Sequence, residues 1–325
     1  MADAAVSSGH VSFLPGGAES SLAAVVFPDG GALDLAAVIR DERDEIRAAL
    51  YRHGALLFRG FDVTDAAGFE IVTRAFTSKS FSYVGGATPR SRISGEVFTS
   101  TEYSPDAMLP MHSEASYFAT VPEFIWFFCK VAPQFAGETP LGDLRRVLKR
   151  LDPDLVARFE GEELCYVSNL HSGNSFGKSW QQTYQSEDRA VAEERVRETG
   201  AAFEWTGEGN LRVTMRAPVL RTHPITGHIY WGNQIANWHP AVFPEASAAA
   251  LRRLYRDPMN YPKNVFFGDG SAIADDDARK IAMALEAEET TFRWQPGDVL
   301  LVDNQAIAHG RRPFKGERQI MVALY

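Results

Sequence analysis

The stretch FIWFFCKVA, residues 124–132, constrains this chain more than any other. Aromatic and β-branched residues dominate it, so it reads as a strand buried in a core. Three more runs of that character lie toward the ends of the chain: ALLFRGF (55–61), VLLV within TFRWQPGDVLLVDN (291–304), and RQIMVALY (318–325). TFRWQPGDVLLVDN is expected to hold two strands joined by a Pro-Gly turn.

Helical patterns fill the space before and between these runs. DERDEIRAALYR (41–52) sets Ile46 and Leu50 four apart among charges, and Gly54 ends it. Thr64 is the expected cap of DAAGFEIVTRAF (65–76), and Asp143 that of LRRVLKRL (144–151), which stops at Asp152-Pro153. A charged helix is expected near 187–199, and surface helices in PEASAAALRRLY (244–255) and DDDARKIAMALEAEE (275–289). Strands at both ends with helices between suit a mainly β protein, a sandwich or barrel core carrying helical insertions, and not an alternating βαβ sheet. With no repeat and no low-complexity linker, residues 1–325 are expected to form one domain. Within it, 1–30 is expected to be an N-terminal arm, 82–111 a long Gly/Ser/Thr/Pro-rich lid, and 140–290 insertions.

Composition excludes several function classes. A net charge of −9 leaves no basic stripe for nucleic acid. No apolar run reaches the length of a membrane span, and MADAAVSSGHVSFLPGG lacks the basic and apolar blocks of a secretory signal. The two cysteines, Cys129 and Cys165, form no CxxC pair and read as buried thiols of a reducing compartment. A cytoplasmic protein is expected.

The chemistry is sought at LPMHSEASYF (109–118). Of the eight histidines, only His112 has a carboxylate two positions later. If the segment is extended, His112 and Glu114 project to one side and Ser113 to the other. Such a pair is either a solvated strand end or half of a metal site, since a charge beside a core strand is costly to bury unneutralised. The other half is sought near the C-terminus, where His309 follows VLLV and the Asp303-Asn304 turn. Arg318 heads the last strand and needs an anion there, a structural carboxylate or a bound one. Two histidines and a carboxylate on one face of a metal suit a non-haem Fe(II) oxygenase.

Four landmarks in order carry a family resemblance: TSTEYSPDAMLPMHSEASY, FFCKVAPQFAGETPLGD, HPITGHIYWGNQ and WQPGDVLLVDNQAIAHGRRPFKGERQIM. The chain resembles the Fe(II)/2-oxoglutarate-dependent oxygenases of the taurine dioxygenase type, from about GALLFRGF to the end. Within them it is most similar to the branch that hydroxylates free or carrier-bound amino acids in nonribosomal peptide pathways. The resemblance implies a double-stranded β-helix (jelly roll) with helical insertions, and as cofactors Fe(II), 2-oxoglutarate and O2. It implies His112, Glu114 and His309 as metal ligands, and Arg318 and Thr139 as contacts of the cosubstrate's far carboxylate. It further implies hydroxylation of an amino-acid-like C–H with release of succinate and CO2, desaturation and cyclisation being the variant endings. Retention of Glu114 disfavours halogenation. The partners implied are a small-molecule substrate and, where that substrate is tethered, a peptidyl carrier protein. Arg90, Arg216 and Asn233 are candidate substrate contacts, and NLHSGNSFGKSW (169–180) a second loop shaping the pocket. A zinc hydrolase and a catalytically silent jelly-roll binding protein are the rival readings, and the first would leave Arg318 and Thr139 unexplained.

Overall fold

The computed structural model describes residues 9–13, 22–30, 34–79, 81, 92–95, 97–99, 103–173 and 177–325. The strand Phe124–Val131 lies inside the largest sheet, between Val299–Asp303 and Gln319–Leu324. The full order is Gly9–Phe13, Ala24–Pro28, Ala55–Phe58, Val299–Asp303, Phe124–Val131, Gln319–Leu324, Val97–Thr99, Arg92–Ser94. All neighbours are antiparallel except Ala24–Pro28 with Ala55–Phe58.

Side chains alternate across this sheet, and both faces are buried. Leu56, Phe58, Trp126, Phe128, Leu301 and Met321 face one side, where the helices Leu35–Asp41, Arg43–His53 and Ala66–Phe76 cover them. Leu57, Ile125, Phe127, Leu300, Val302 and Val322 face the other, against Leu141, Phe292, Trp294 and Ile307. That dual burial is why the run 124–128 is continuously apolar rather than alternating.

Over the second face lies a small sheet of Leu109–His112, Ile307–Arg311 and Leu141–Asp143, in that order. A further sheet, Ala202–Thr206, Asn210–Pro218, Glu163–Leu170, Lys263–Phe267, stands apart from both. Its core takes in Met111, Ala115 and Tyr117, so it packs over the loop that follows Leu109–His112. Among the described residues, no helix is long and apolar enough to cross a membrane. Both cysteines are free and buried, and burial pushes the Cys129 thiol up to about 12.

Several local expectations change. The stretch 41–52 is not one helix: the chain breaks at Glu42 (φ −116°, ψ 29°) between Leu35–Asp41 and Arg43–His53. Asp65 rather than Thr64 caps Ala66–Phe76, because its carboxylate accepts the Gly68 N–H at 2.8 Å. TFRW (291–294) is no strand: Phe292 and Trp294 are buried through their rings, 4.7 Å apart, without a ladder partner. Asp143 caps Leu144–Arg150 as expected. Within 1–30, Ala24–Pro28 is built into the main sheet, and Leu141–Asp143, inside the range read as insertions, belongs to the small sheet.

Gly310 holds the small sheet together. The pairing of Ile307–Arg311 with Leu109–His112 shifts register between His309 and Arg311, so Pro110 and Met111 stand opposite Gly310 as a bulge. Proline, which has no N–H to give a ladder, is tolerated there. A Cβ on Gly310 would lie 2.6 Å from the Leu109 carbonyl oxygen and 3.2 Å from the Met111 nitrogen, backbone atoms that cannot step aside. Gly310→Ala is therefore expected to force the two strands apart and destabilise the protein by about 2 kcal/mol. A urea titration followed by far-UV circular dichroism checks this, and an unchanged midpoint would refute the close-approach argument.

Candidate active site

His112 ends its strand and His309 sits directly opposite it in the pairing. Their rings lie 4.7 Å apart between centroids. Glu114 joins them by a different route from strand alternation: the strand ends at His112, and a turn brings the carboxylate back. Its Oε2 is 3.9 Å from Nε2 of both His112 and His309. All three side chains are buried. One donor atom from each fits within 4.8 Å, the only such group of three or more metal-ligating side chains among the described residues.

The surroundings orient each donor. The bulge at Pro110 turns its carbonyl oxygen to 2.9 Å from Nδ1 of His112, so Nδ1–H donates there and the Nε2 lone pair points to Glu114. Phe127, from the inner face of the main sheet, meets the His309 ring edge-on at 5.2 Å. Asn304, wholly buried in the turn before Ile307–Arg311, clamps the Glu114 loop. Its Oδ1 accepts the Glu114 N–H at 2.7 Å, while its Nδ2 donates to the Glu114 and Pro122 carbonyls at 3.1 and 3.0 Å. Its own carbonyl accepts the Ser113 hydroxyl at 2.6 Å. Gln234 reaches across to the Ser113 carbonyl at 2.8 Å. This bracing matters because Ala115 is held at φ 58°, a left-handed conformation that costs an alanine about 1 kcal/mol.

The neighbouring Asp303 accepts from His223 Nε2 at 3.1 Å, both buried. His223 Nδ1 accepts the Ile225 and Thr226 N–H groups, which puts the ring proton on Nε2.

Arg318 and Thr139 lie along one segment leading to His309. The Arg318 Nε donates to the Gly137 carbonyl at 3.1 Å, Thr139 follows two residues later, and Leu141 pairs with His309. Thr139 is buried, and its hydroxyl accepts from Trp294 Nε1 at 3.1 Å. Burial, with Arg311 nearby, holds the Arg318 guanidinium down at about 10. Arg311 also ties down part of the expected lid, donating to the carbonyls of Tyr103, Ser104 and Ala107 at 2.6–3.1 Å.

Beside the centre lies a cavity of about 520 Å³, whose lining includes Tyr103, Tyr117, Met215 and Trp238. Burial and the Glu114 charge both raise the Tyr103 phenol. NLHSGNSFGKSW contributes Leu170, Gly177 and Lys178 to the same lining. The proposed substrate contacts fare less well. Arg216 is exposed and donates to the Gly268 carbonyl, because strand alternation points its neighbour Met215 inward instead. Asn233 is buried but engaged with the Val219 carbonyl and the Ile235 N–H. Arg90 lies outside the described residues. Sequence reasoning missed Asn304, Arg311 and Gln234, although DNQ and RR stood inside recognised landmarks.

Comparison with known proteins agrees with this architecture. A clavaminate synthase-like protein of Arabidopsis thaliana is 33% identical over 295 residues, covering 88% of this chain and 86% of that protein. The dapdiamide synthesis protein DdaC of Enterobacter agglomerans is 34% identical over 282 residues, covering 86% and 84%. Among solved structures, PvcB of Pseudomonas aeruginosa superposes with a TM-score of 0.59 at 16% identity, over 100% of this chain and 92% of that one, a likeness of fold. The family model described as "Taurine catabolism dioxygenase TauD, TfdA family" matches residues 21–325. With nearly the whole length matched, and two relatives above 30% identity over most of it, the chain belongs to that family, the Fe(II)/2-oxoglutarate-dependent dioxygenases of the taurine dioxygenase type.

Proposed function

We propose that the chain hydroxylates an unactivated C–H bond of a small amino-acid-like molecule, free or carrier-bound, in secondary metabolism. His112, Glu114 and His309 hold Fe(II) in this reading, and Arg318 with Thr139 binds the far carboxylate of 2-oxoglutarate. The observation that carries it is the buried convergence of two imidazole nitrogens on one carboxylate oxygen. One donor atom from each of the three side chains lies within 4.8 Å of the others, so small side-chain rotations would gather them on one ion. Two histidines and a carboxylate on one face leave positions open for cosubstrate and oxygen. The main sheet and the small sheet are the two walls of the double-stranded β-helix in this reading. Two relatives support the metabolic setting: DdaC is named for dapdiamide synthesis, and PvcB is described as an Fe, alpha-ketoglutarate dependent oxygenase from an isonitrile synthetic pathway.

Iron with 2-oxoglutarate and O2 supplies an oxidant able to remove hydrogen from an unactivated C–H, succinate and CO2 being the coproducts. The protein's own work is positional. Pro110 fixes the His112 tautomer. Glu114 balances charge on the metal, and Asn304 keeps it in place. Phe127 and Trp294 wall the centre from water on the main-sheet side. Arg318 and Arg311 set a positive field for a dianion.

Anaerobic addition of Fe(II) and 2-oxoglutarate is expected to give the weak visible charge-transfer band of the chelate. Glu114→Ala should lose the band and all succinate formation; a variant retaining both would overturn the ligand assignment. Arg318→Met is expected to raise the 2-oxoglutarate concentration for half-maximal band intensity about 30-fold, the equivalent of a charged hydrogen bond of about 2 kcal/mol. Asn304→Ala should weaken Fe(II) binding about ten-fold while leaving the far-UV spectrum unchanged. A screen of amino acids, free and tethered to a carrier, followed by succinate release, then identifies the substrate form.

A further inference from the structure

The cavity beside the reaction centre carries a cation that the proposed chemistry does not use. Lys263 opens the strand Lys263–Phe267, directly opposite Ser168, and both residues line the cavity. The Lys263 side chain retains accessible surface, yet protein atoms crowd its ammonium, and desolvation pushes its pKa down to about 8. No charged neighbour among the described residues contributes to that shift. Its company is aromatic: Nζ lies 5.2 Å from the Phe243 ring centroid and 5.9 Å from that of Trp238. Ring faces stabilise a cation by about 0.5–2 kcal/mol, less than full hydration does, so the ammonium remains short of a counter-ion.

The cavity leads from that charge toward the metal-ligand group. The Trp238 ring lies 5.2 Å from that of Tyr117 and is tilted 56° to it, and Tyr117 follows Glu114 by three residues. Tyr103, whose phenol feels the Glu114 charge, closes the same end. Most of the cavity's remaining lining is apolar, Leu170, Val213 and Met215 among it, with Lys178, Asn169 and Thr183 as polar members. Its volume of about 520 Å³ suits a small molecule. Such a container selects a molecule with an anionic head and an apolar body, its far end presented to the centre.

We propose that Lys263 anchors a free carboxylate of the substrate, so that the molecule enters with that carboxylate unesterified and its apolar body lying on Trp238. The proposal rests on the reading of His112, Glu114 and His309 as the reaction centre. A thioester at that same carboxylate would leave the ammonium unneutralised and is excluded by it.

The test measures binding to the full-length protein at pH 7 without iron or 2-oxoglutarate, so it can fail independently of the oxygenase reading. The probes are 3-phenylpropanoate, its neutral amide and 3-phenylpropyl phosphate, followed by Trp fluorescence and calorimetry. The unsubstituted protein and Lys263→Arg should bind the carboxylate about ten-fold tighter than the amide. Lys263→Met should bind the two equally, with amide affinity unchanged, which also reports an intact cavity. The proposal falls if carboxylate and amide bind the unsubstituted protein alike, if Lys263→Met keeps the preference, if the phosphate is preferred, or if none of the probes binds.

Discussion

The register of one strand pair governs the rest of this protein. His309 faces His112 across the small sheet only because two residues, Pro110 and Met111, bulge against the single Gly310. A slip of one residue would send one imidazole to the opposite face of the sheet. The same bulge delivers the Pro110 carbonyl to His112 Nδ1, so backbone irregularity sets ring position and protonation together. Glycine at 310 is demanded by the spacing of the two backbones and not by its dihedral freedom.

That register is enforced from both sides. The main sheet presses Phe127 onto His309, and its inner face meets Ile307 on the histidine's own strand and Leu141 on the strand beside it. From the other side, the four-stranded sheet packs on Ala115 and Tyr117, while the Tyr166 hydroxyl accepts the Gln234 N–H and so supports Gln234 under Ser113. Asn304 ties the two histidine-bearing segments into one unit through four hydrogen bonds, one with Ser113, two with Glu114 and one with Pro122. Nothing less would hold Ala115 in a left-handed conformation, since a strained backbone persists only where its surroundings over-determine it.

Much of this was legible in the residues. Strands buried on both faces announce themselves by composition, and 124–131, 299–303 and 319–324 fell where expected. His112 and Glu114 were picked out by type and spacing and His309 through the family resemblance, and the structure brings the three together, Glu114 by a turn and not by strand alternation. What escaped had no one-dimensional signal. TFRW has strand-like composition but buries its rings without a ladder. Arg216 sits in the right stretch on the wrong face of its strand, which depends on a pairing partner the sequence does not name. Asn304 reads as an ordinary turn residue until Glu114, 190 positions away in the chain, arrives beside it. Lys263 resembles any lysine at a strand start until segments from distant parts of the chain close a cavity around it.

Charge placement gives these parts a common logic. The chain is acidic overall, with a net charge of −9, yet desolvation lowers the pKa of three cations near its centre, Arg318, Arg311 and Lys263. Arg318 and Arg311 stand on the side of the main and small sheets, and Lys263 belongs to the four-stranded sheet. Two anions of similar chemistry, a dicarboxylate cosubstrate and a carboxylate-bearing substrate, would compete for one site if a single cationic cluster served both. Placing the cations on different sheets would give each anion a site of its own in the proposed reading. In that reading the guanidiniums of Arg318 and Arg311 favour the doubly charged partner through their combined field, while the Lys263 ammonium beside the Phe243 and Trp238 rings, with Lys178 on the same cavity, favours a carboxylate on an apolar body. The ternary arrangement so proposed thus follows from the placement of cations on separate sheets, with the buried Glu114 carboxylate reserved for the metal.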